Sequence, residues 1–336
     1  GLAAWRLGDC DKAAEAFQRS AAASTNPNLT AAAHYWASRA LIRCRFPEKS
    51  DEQLRGAARF PETLYGMLAH EQLGRDLPET HAQPDLTEAD WRRLRDEDAV
   101  QQAVMLAEIG QRDEAADDLV WLVRTGDPDD YPALSRLARA LGLTGAQTFM
   151  AYNAPRGEGA HPSLRYPVTF RTPVGGWRVD PALAFAHALQ ESNFRERVVS
   201  PAGAIGLMQI MPITQREYAA SINMSSNADL KDPAVNLAFG QRTLESLSTA
   251  SYTQGRLPKI MAAYNAGPSP VARWESEIRD AGDPLLYMES IPYWETRGYI
   301  AVVMRNYWMY LRQADAPAPS RIDLAENDWP QFPKVR

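Results

Sequence analysis

A glutamate at the end of an apolar helix is the chain's leading candidate for proton-transfer chemistry. The segment Pro181–Ser192 sets Leu183, Ala186 and Leu189 at helical spacing and finishes in Gln190-Glu191-Ser192. Glu191 therefore falls in the last turn, where the carbonyl end of the helix dipole disfavours a negative charge. Burial beneath a ligand would add to that cost. Both effects favour the protonated carboxyl that a general acid needs. A lone glutamate at a helix end is most often simply solvated, so its company decides.

Two downstream stretches supply that company. Ser200-Pro201-Ala202-Gly203-Ala204-Ile205-Gly206 is too open for helix and leads into Leu207-Met208-Gln209-Ile210-Met211-Pro212, which is apolar except for one amide. A glutamine in such a run is either hydrogen-bonded inside the protein or turned toward a ligand. Later, Ile260–Ala263 runs into Tyr264-Asn265-Ala266-Gly267-Pro268, a helix ending on a phenol, an amide and a glycine stop. A flat apolar face with hydrogen-bonding tips is what a sugar site uses.

Other chemistries fit poorly. His70-Glu71 opens a zinc-protease-like pattern, but Gly74 stands where the second histidine is required, so no metal site is expected. There is no GxSxG and no phosphate-binding GxxxxGK[ST]. Asp127, Asp129 and Asp130 lack the glycine of a calcium loop and read as a solvated turn. His187, one turn before Glu191, reads as a packing residue. Asp180 and Glu196 flank Glu191 but belong to no motif.

The elements that carry these residues are helices throughout. Residues 1–150 alternate short helices with glycine breaks: Leu2–Leu7 ends at Gly8, Asp11 precedes Ala13, Ala14 and Phe17, and Gly110 divides Val104–Val123 into two helices. Asn26-Pro27-Asn28 precedes a helix at Ala31–Arg43, and Pro61 opens another at Glu62–Leu73. Helix, glycine, helix is the unit of a stacked hairpin array. Residues 153–177 are rich in proline and glycine and read as a linker, with 165–168 extended. Helices resume at Asp180-Pro181 and Asp232-Pro233, each a capping carboxylate before a proline suited to the first helical position. No strand of convincing period appears, so an all-α fold is expected. The expected domains are a partial superhelical domain at 1–72, a helical linker domain at 73–152, the linker at 153–177, a catalytic domain at 178–313, and an extended tail at 314–336.

Composition narrows the class. The chain has 336 residues, 45% hydrophobic and 23% charged, which suits two or three globular domains. Its net charge of −6, with both signs interspersed, argues against a nucleic-acid partner, whose phosphates need a basic face. No run approaches a membrane span, so stable membrane insertion is not expected. The two cysteines, Cys10 and Cys44, form no CxxC. A disulfide or two separate thiols both fit their spacing, since spacing does not fix the Cα separation.

Four motifs then occur in a telling order: Glu191-Ser192; Gly206-Leu207-Met208-Gln209-Ile210-Met211-Pro212; Ala263-Tyr264-Asn265-Ala266-Gly267; and Ile291-Pro292-Tyr293-Trp294-Glu295-Thr296-Arg297-Gly298-Tyr299. The series resembles that of soluble lytic transglycosylases, and the likeness spans Leu164 to about Leu311. Relatives often place arginine where this chain has Leu189. They usually carry a longer superhelix, so a chain shortened at its N-terminus is expected. The resemblance implies a goose-type lysozyme-like α lobe joined to a helical superhelix, with Glu191 as the single catalytic acid/base. It also implies that Ser200, Gln209, Met211, Tyr264, Asn265 and Glu295 line a glycan groove. The implied substrate is the glycan strand of peptidoglycan, acted on without a cofactor by a monomer in the periplasm.

The implied reaction needs no second carboxylate, unlike ordinary glycosidases. Protonated Glu191 gives its proton to the oxygen between N-acetylmuramic acid and N-acetylglucosamine. It then accepts one from the muramic C6 hydroxyl, which attacks C1 and closes a 1,6-anhydro ring. Two alternatives stand beside this expectation: a muramidase that hydrolyses the same bond, and an inactive glycan-binding helical scaffold.

Overall fold

The computed structural model describes residues 1–78, 84–156, 159–168 and 171–333. Parts of the expected domain 73–152, the linker and the tail (79–83, 157, 158, 169, 170 and 334–336) lie outside the described residues. Among the described residues the regular elements are helices, and β pairing is confined to isolated bridges. The all-α expectation holds.

The chain forms two compact units, one of Gly1–Glu79 with Leu247–Phe332 and the other of Thr80–Ser246 with Pro333–Arg336. The first unit opens with α1 (Leu2–Arg6), α2 (Cys10–Ala23), α3 (Pro27–Arg43), α4 (Pro47–Ala58) and α5 (Leu64–Gln72). Several starts are set by side-chain caps that satisfy otherwise orphaned backbone N–H groups. Asp9 caps α2, Asn26 caps α3 with Pro27 at its first turn, and Thr63 caps α5. Helix α3 thus begins four residues before the expected Ala31, because Asn26-Pro27 is a start signal rather than punctuation. Helix α5 begins later than expected, after Pro61. Cys10 and Cys44 are joined in a disulfide with their Cα atoms 5.6 Å apart, linking the start of α2 to the end of α3.

The second unit holds α6 (Glu88–Leu94), α7 (Asp98–Glu108), α8 (Arg112–Thr125), α9 (Tyr131–Ala140), α10 (Thr144–Tyr152), α11 (Pro181–Ser192), α12 (Pro212–Tyr218) and most of α13 (Pro233–Thr249). Leu94, Val100, Leu119, Leu134, Leu137 and Leu164 form the core under its first five helices. A reciprocal Thr87–Asp90 capping box starts α6, and the Asp90 carboxylate also takes a two-point ion pair from Arg136 of α9. Hydrogen bonds from that guanidinium hold the Asp90 carboxyl well below the usual carboxylate range. Pro162–Arg165 closes a 3₁₀ turn, so Arg165 is not in the extended stretch expected at 165–168.

The first unit is completed by α14 (Leu257–Ala266), α15 (Pro268–Glu277), α16 (Pro284–Ser290), α17 (Trp294–Gln313) and α18 (Pro319–Ala325). Helix α18 replaces the extended tail expected from residue 314. It packs on α5, and Trp308 of α17 donates its indole N–H to Ser320 of α18. Arg39 pairs with Asp283 at 2.7 Å, the Tyr65 hydroxyl donates to Glu289, and Arg321 pairs with Glu71. These bonds weld the first five helices to the last five.

His187 of α11 has no exposed surface, in line with a packing role. Burial pushes its imidazole down to about 3. The folded chain thus keeps the ring neutral to about pH 3, whereas the unfolded chain protonates it below about 6.5. Stability that is present above pH 6.5 is lost as pH falls toward 3. His187→Gln should therefore lose less stability than wild type between pH 6.5 and about pH 4, by up to roughly 1.4 kcal/mol per pH unit. Urea unfolding at a series of pH values measures the difference.

Candidate active site

Helix α11 presents Glu191 at its carbonyl end. Asp180 accepts the Ala182 N–H, Pro181 fills the first turn, and the helix runs twelve residues to Ser192. The chain then turns through two consecutive left-handed residues, Asn193 (φ 51°) and Phe194 (φ 58°). Asparagine takes this conformation readily, but a bulky aromatic side chain does not. Phe194 is only 1% exposed, and its ring lies 6.2 Å from that of Phe185. Burial of that ring offsets the backbone cost. Glu191 itself is half-buried.

The next motif is fastened to the same helix end. Ser192 is buried and donates to the Leu207 carbonyl at 2.8 Å, which brings the loop 198–211 against the turn that carries Glu191. The loop folds on itself through bridges of Ile205 with Val199 and Ile210. Gly206 has φ 76°, and a Cβ there would lie 2.4 Å from the Asn236 amide and 2.5 Å from the Leu230 carbonyl, so only glycine fits. Asn236, fully buried on α13, accepts from the Met208 N–H at 2.8 Å. It donates to the carbonyls of Ile205 and Leu230 at 2.7 and 2.8 Å.

This clamp sets the remaining loop residues. Gln209 is left-handed (φ 49°) and half-buried, and its amide donates to the Gly206 carbonyl at 2.9 Å. Ser200 turns its hydroxyl inward to accept the Ala204 N–H at 3.0 Å. Met211 is 37% exposed at the start of α12. Glu191, Ser200, Gln209 and Met211 thus share one unit, and Ser192 ties the first to the loop of the others.

The other two motifs lie in the first unit and are likewise welded to each other. Helix α14 ends with Tyr264 and Asn265 half-buried in its last turn and Gly267 at φ 86°. Thr296, 1% exposed on α17, donates to the Asn265 side-chain oxygen at 2.7 Å. Arg297 closes the loop before α17 by donating to the Ile291 carbonyl. Glu295 stands exposed in the first turn of α17, next to Trp294, which is 77% exposed.

Neither acid near Glu191 in sequence is placed as its catalytic partner. Asp180 caps the far end of a twelve-residue helix, about 16 Å away along the axis. Two carboxyls that share a glycosidic bond stand within about 10 Å. Glu196 is 8% exposed and faces Arg171, and burial raises its carboxyl above the ordinary value. Among the described residues, one group of ligand-type atoms lies close enough for a metal: Cys10, Asp11 and Cys44. The disulfide removes both thiolates as ligands.

Three positioning residues were not anticipated from the sequence: Asn236, Thr296 and Asp113, whose carboxylate accepts the backbone N–H groups of Glu196 and Arg197 at 3.0 and 2.8 Å. Asn236 left a signal as a lone amide in the apolar run Ala234–Phe239, and Thr296 lay inside the fourth motif without its partner being legible. Asn236→Ala should strand three buried backbone groups and cost about 2–4 kcal/mol in chemical denaturation. A loss below about 0.5 kcal/mol would show that the loop holds without the clamp.

Comparison with known proteins points the same way. A family model described as the transglycosylase SLT domain matches residues 170–285. The soluble lytic murein transglycosylase of Escherichia coli (strain K12) is 35% identical over 168 residues, covering 48% of this chain and 25% of that protein. The endo-type membrane-bound lytic murein transglycosylase A of Klebsiella pneumoniae (strain 342) is 30% identical over 129 residues, covering 35% of this chain and 64% of that protein. The chain spans about a quarter of the length of the soluble relatives it matches. Among solved structures, the Escherichia coli soluble lytic transglycosylase Slt70 gives a TM-score of 0.76 at 22% identity, over 97% of this chain and 52% of that one. The lytic transglycosylase Slt of Pseudomonas aeruginosa gives 0.75 at 24%, over 98% and 53%. At these identities the structural likeness concerns the fold alone. Residues 170–285 thus match the transglycosylase SLT domain, and the chain is similar to soluble lytic murein transglycosylases over that region.

Proposed function

We propose that this chain is a lytic transglycosylase that cleaves the β-1,4 bond between N-acetylmuramic acid and N-acetylglucosamine in peptidoglycan. The observation that carries the reading is the placement of Glu191. It is half-buried at the carbonyl end of α11, in a matched SLT domain, and the Ser192–Leu207 bond holds it beside the Gln209 loop. The helix end and partial burial both favour a protonated carboxyl at rest. Glu191 delivers that proton to the glycosidic oxygen as the C1–O bond breaks. The muramic O6 then bonds to C1 and returns its proton to the Glu191 carboxylate, so the acid is restored and no water is consumed.

The catalytic domain in this reading is residues 178–313, with the helical segments 1–72 and 73–152 holding the strand. Ser200, Gln209 and Met211 serve glycan binding in the unit of Glu191, and Tyr264, Asn265 and Glu295 are assigned to glycan binding by the same resemblance. Ser200 would do so through its loop geometry, since its hydroxyl already serves Ala204. The Cys10–Cys44 disulfide suits an oxidising compartment, which supports a periplasmic location for a monomeric enzyme acting on murein.

Glu191→Gln keeps the shape of the acid but cannot protonate a leaving group. Turnover on purified peptidoglycan should fall by about 10²–10⁴-fold with glycan affinity largely kept; near wild-type turnover would remove Glu191 from its role.

The nature of the acceptor separates this reading from a muramidase. Holding O6 beside C1 can supply an effective molarity of ~10⁵ M or more, far above that of bulk water. Digestion in ¹⁸O-labelled water should leave the new muramic ends anhydro and unlabelled by mass spectrometry. Label at most new C1 positions would mean hydrolysis.

A further inference from the structure

The Cys10–Cys44 disulfide has a third group beside it that the staple does not use. An oxygen of the Asp11 carboxylate lies 3.4 Å from the Cys44 sulfur. One ligand-type atom from each of Cys10, Asp11 and Cys44 lies within 4.8 Å of the others, and no other such trio occurs among the described residues. Two sulfurs and a carboxylate are a donor set for zinc-class ions, not for magnesium or calcium. All three residues keep solvent access, since Asp11 is exposed and both cysteines are half-buried.

The neighbouring charges leave the Asp11 oxygens to a cation. Asp9, two residues earlier, is spent: one oxygen accepts the Lys12 N–H and the other pairs with the Lys12 ammonium at 2.8 Å. Arg43 is turned to Trp5, donating to its carbonyl at 3.0 Å and lying over its ring at 5.0 Å. Neither cation pairs with Asp11. The two sulfurs also differ in character. Cys10 opens α2, where the helix dipole favours a thiolate. Cys44 caps the carbonyl end of α3 beside the Asp11 carboxylate, where a thiolate is disfavoured. Cys10 is therefore the better leaving group when an external thiolate attacks Cys44.

We propose that Cys10, Asp11 and Cys44 form a redox-gated site for a zinc-class divalent ion, closed as a disulfide and open as a dithiol. A dithiol reductant of the thioredoxin class opens it. Its thiolate attacks the Cys44 sulfur and expels Cys10, and its second thiol then releases Cys44. The reductant leaves as its own disulfide, while two electrons and two protons stay on the cysteine pair. The ion then displaces both thiol protons to water and takes two thiolates and the ionised Asp11 carboxylate. A water fills the fourth position of a tetrahedral site. Zinc holds sulfur at about 2.3 Å, so tetrahedral ligation sets the two sulfurs roughly 3.8 Å apart. The Cα atoms, 5.6 Å apart in the disulfide, allow that by rotation of the side chains. The bound ion does what the disulfide does, tying the start of α2 to the end of α3 while the thiols are reduced. Neither the site nor its test depends on the transglycosylase reading.

The test uses the full chain, oxidised and after reduction by a phosphine, with Co²⁺ as spectroscopic probe and Zn²⁺ as competitor. Reduced wild type should take up Co²⁺ with a thiolate-to-cobalt charge-transfer band, and Zn²⁺ should abolish that band by displacement. The oxidised protein should show no such band. Asp11→Ala keeps both thiols and should bind Zn²⁺ at least about tenfold more weakly, since losing even an outer-shell partner costs that much. Zn²⁺ should also raise the melting temperature of the reduced chain and leave that of the oxidised chain unmoved. Circular dichroism follows the helix content; if the reduced chain unfolds, Zn²⁺ should restore it. Absence of the band in the reduced chain would overturn the inference, as would a band without any rise in melting temperature. Equal Zn²⁺ affinity in wild type and Asp11→Ala would also overturn it, because adventitious binding to two thiols does not need the carboxylate.

Discussion

The amide of Asn236 has no exposed surface, yet it answers three backbone groups at once, the Met208 N–H and the carbonyls of Ile205 and Leu230. The loop 198–211 pairs part of its backbone with itself, and leaving its remaining buried groups unpaired would cost several kcal/mol. One side chain from α13 supplies the partners that the loop's own bridges leave out. Gly206 can then approach Asn236 too closely for any Cβ, and Gln209 is held in a left-handed conformation with its amide folded back on Gly206. The Ser192 hydroxyl connects this loop to the end of α11. The placement of Glu191 therefore depends on a polar clamp as well as on the apolar face of its own helix.

The same construction recurs in the other unit. There a buried threonine, Thr296, donates to Asn265 and so joins the end of α14 to the start of α17. In both units a helix that ends in one of the sequence motifs is tied by one buried hydroxyl to the next motif along the chain. Hydroxyls suit this task because they are small and donate one well-directed bond without burying a charge. The ends of helices are where backbone groups go unpaired, and where a side chain can be presented without covering it.

Electrostatics sets the Glu191 turn apart from the residues just beyond it. Acidic groups here are either capped and solvated or enclosed, as Glu196 is beside Arg171. Cations gather instead in a cavity beside α8 and α10, within a chain that is acidic overall.

The helical class, the span of α11 to the residue, the position of Glu191 in its last turn, and the likeness to soluble lytic transglycosylases through four ordered motifs were all legible in the amino-acid order. Each of these rests on local rules: a capping carboxylate before proline, a 3.6-residue apolar period, a glycine where the backbone must turn left-handed. Other features came into being only with packing. Whether Cys10 met Cys44 depended on how α2 and α3 lie against each other. The tail formed α18 because α5 offered an apolar face to cover, which a proline-rich local sequence does not announce. The partners of Thr296 and Asp113 were unreadable because a threonine or aspartate looks the same whether it faces water or a group many residues away. The partners that give such residues their work become neighbours only when the chain is folded.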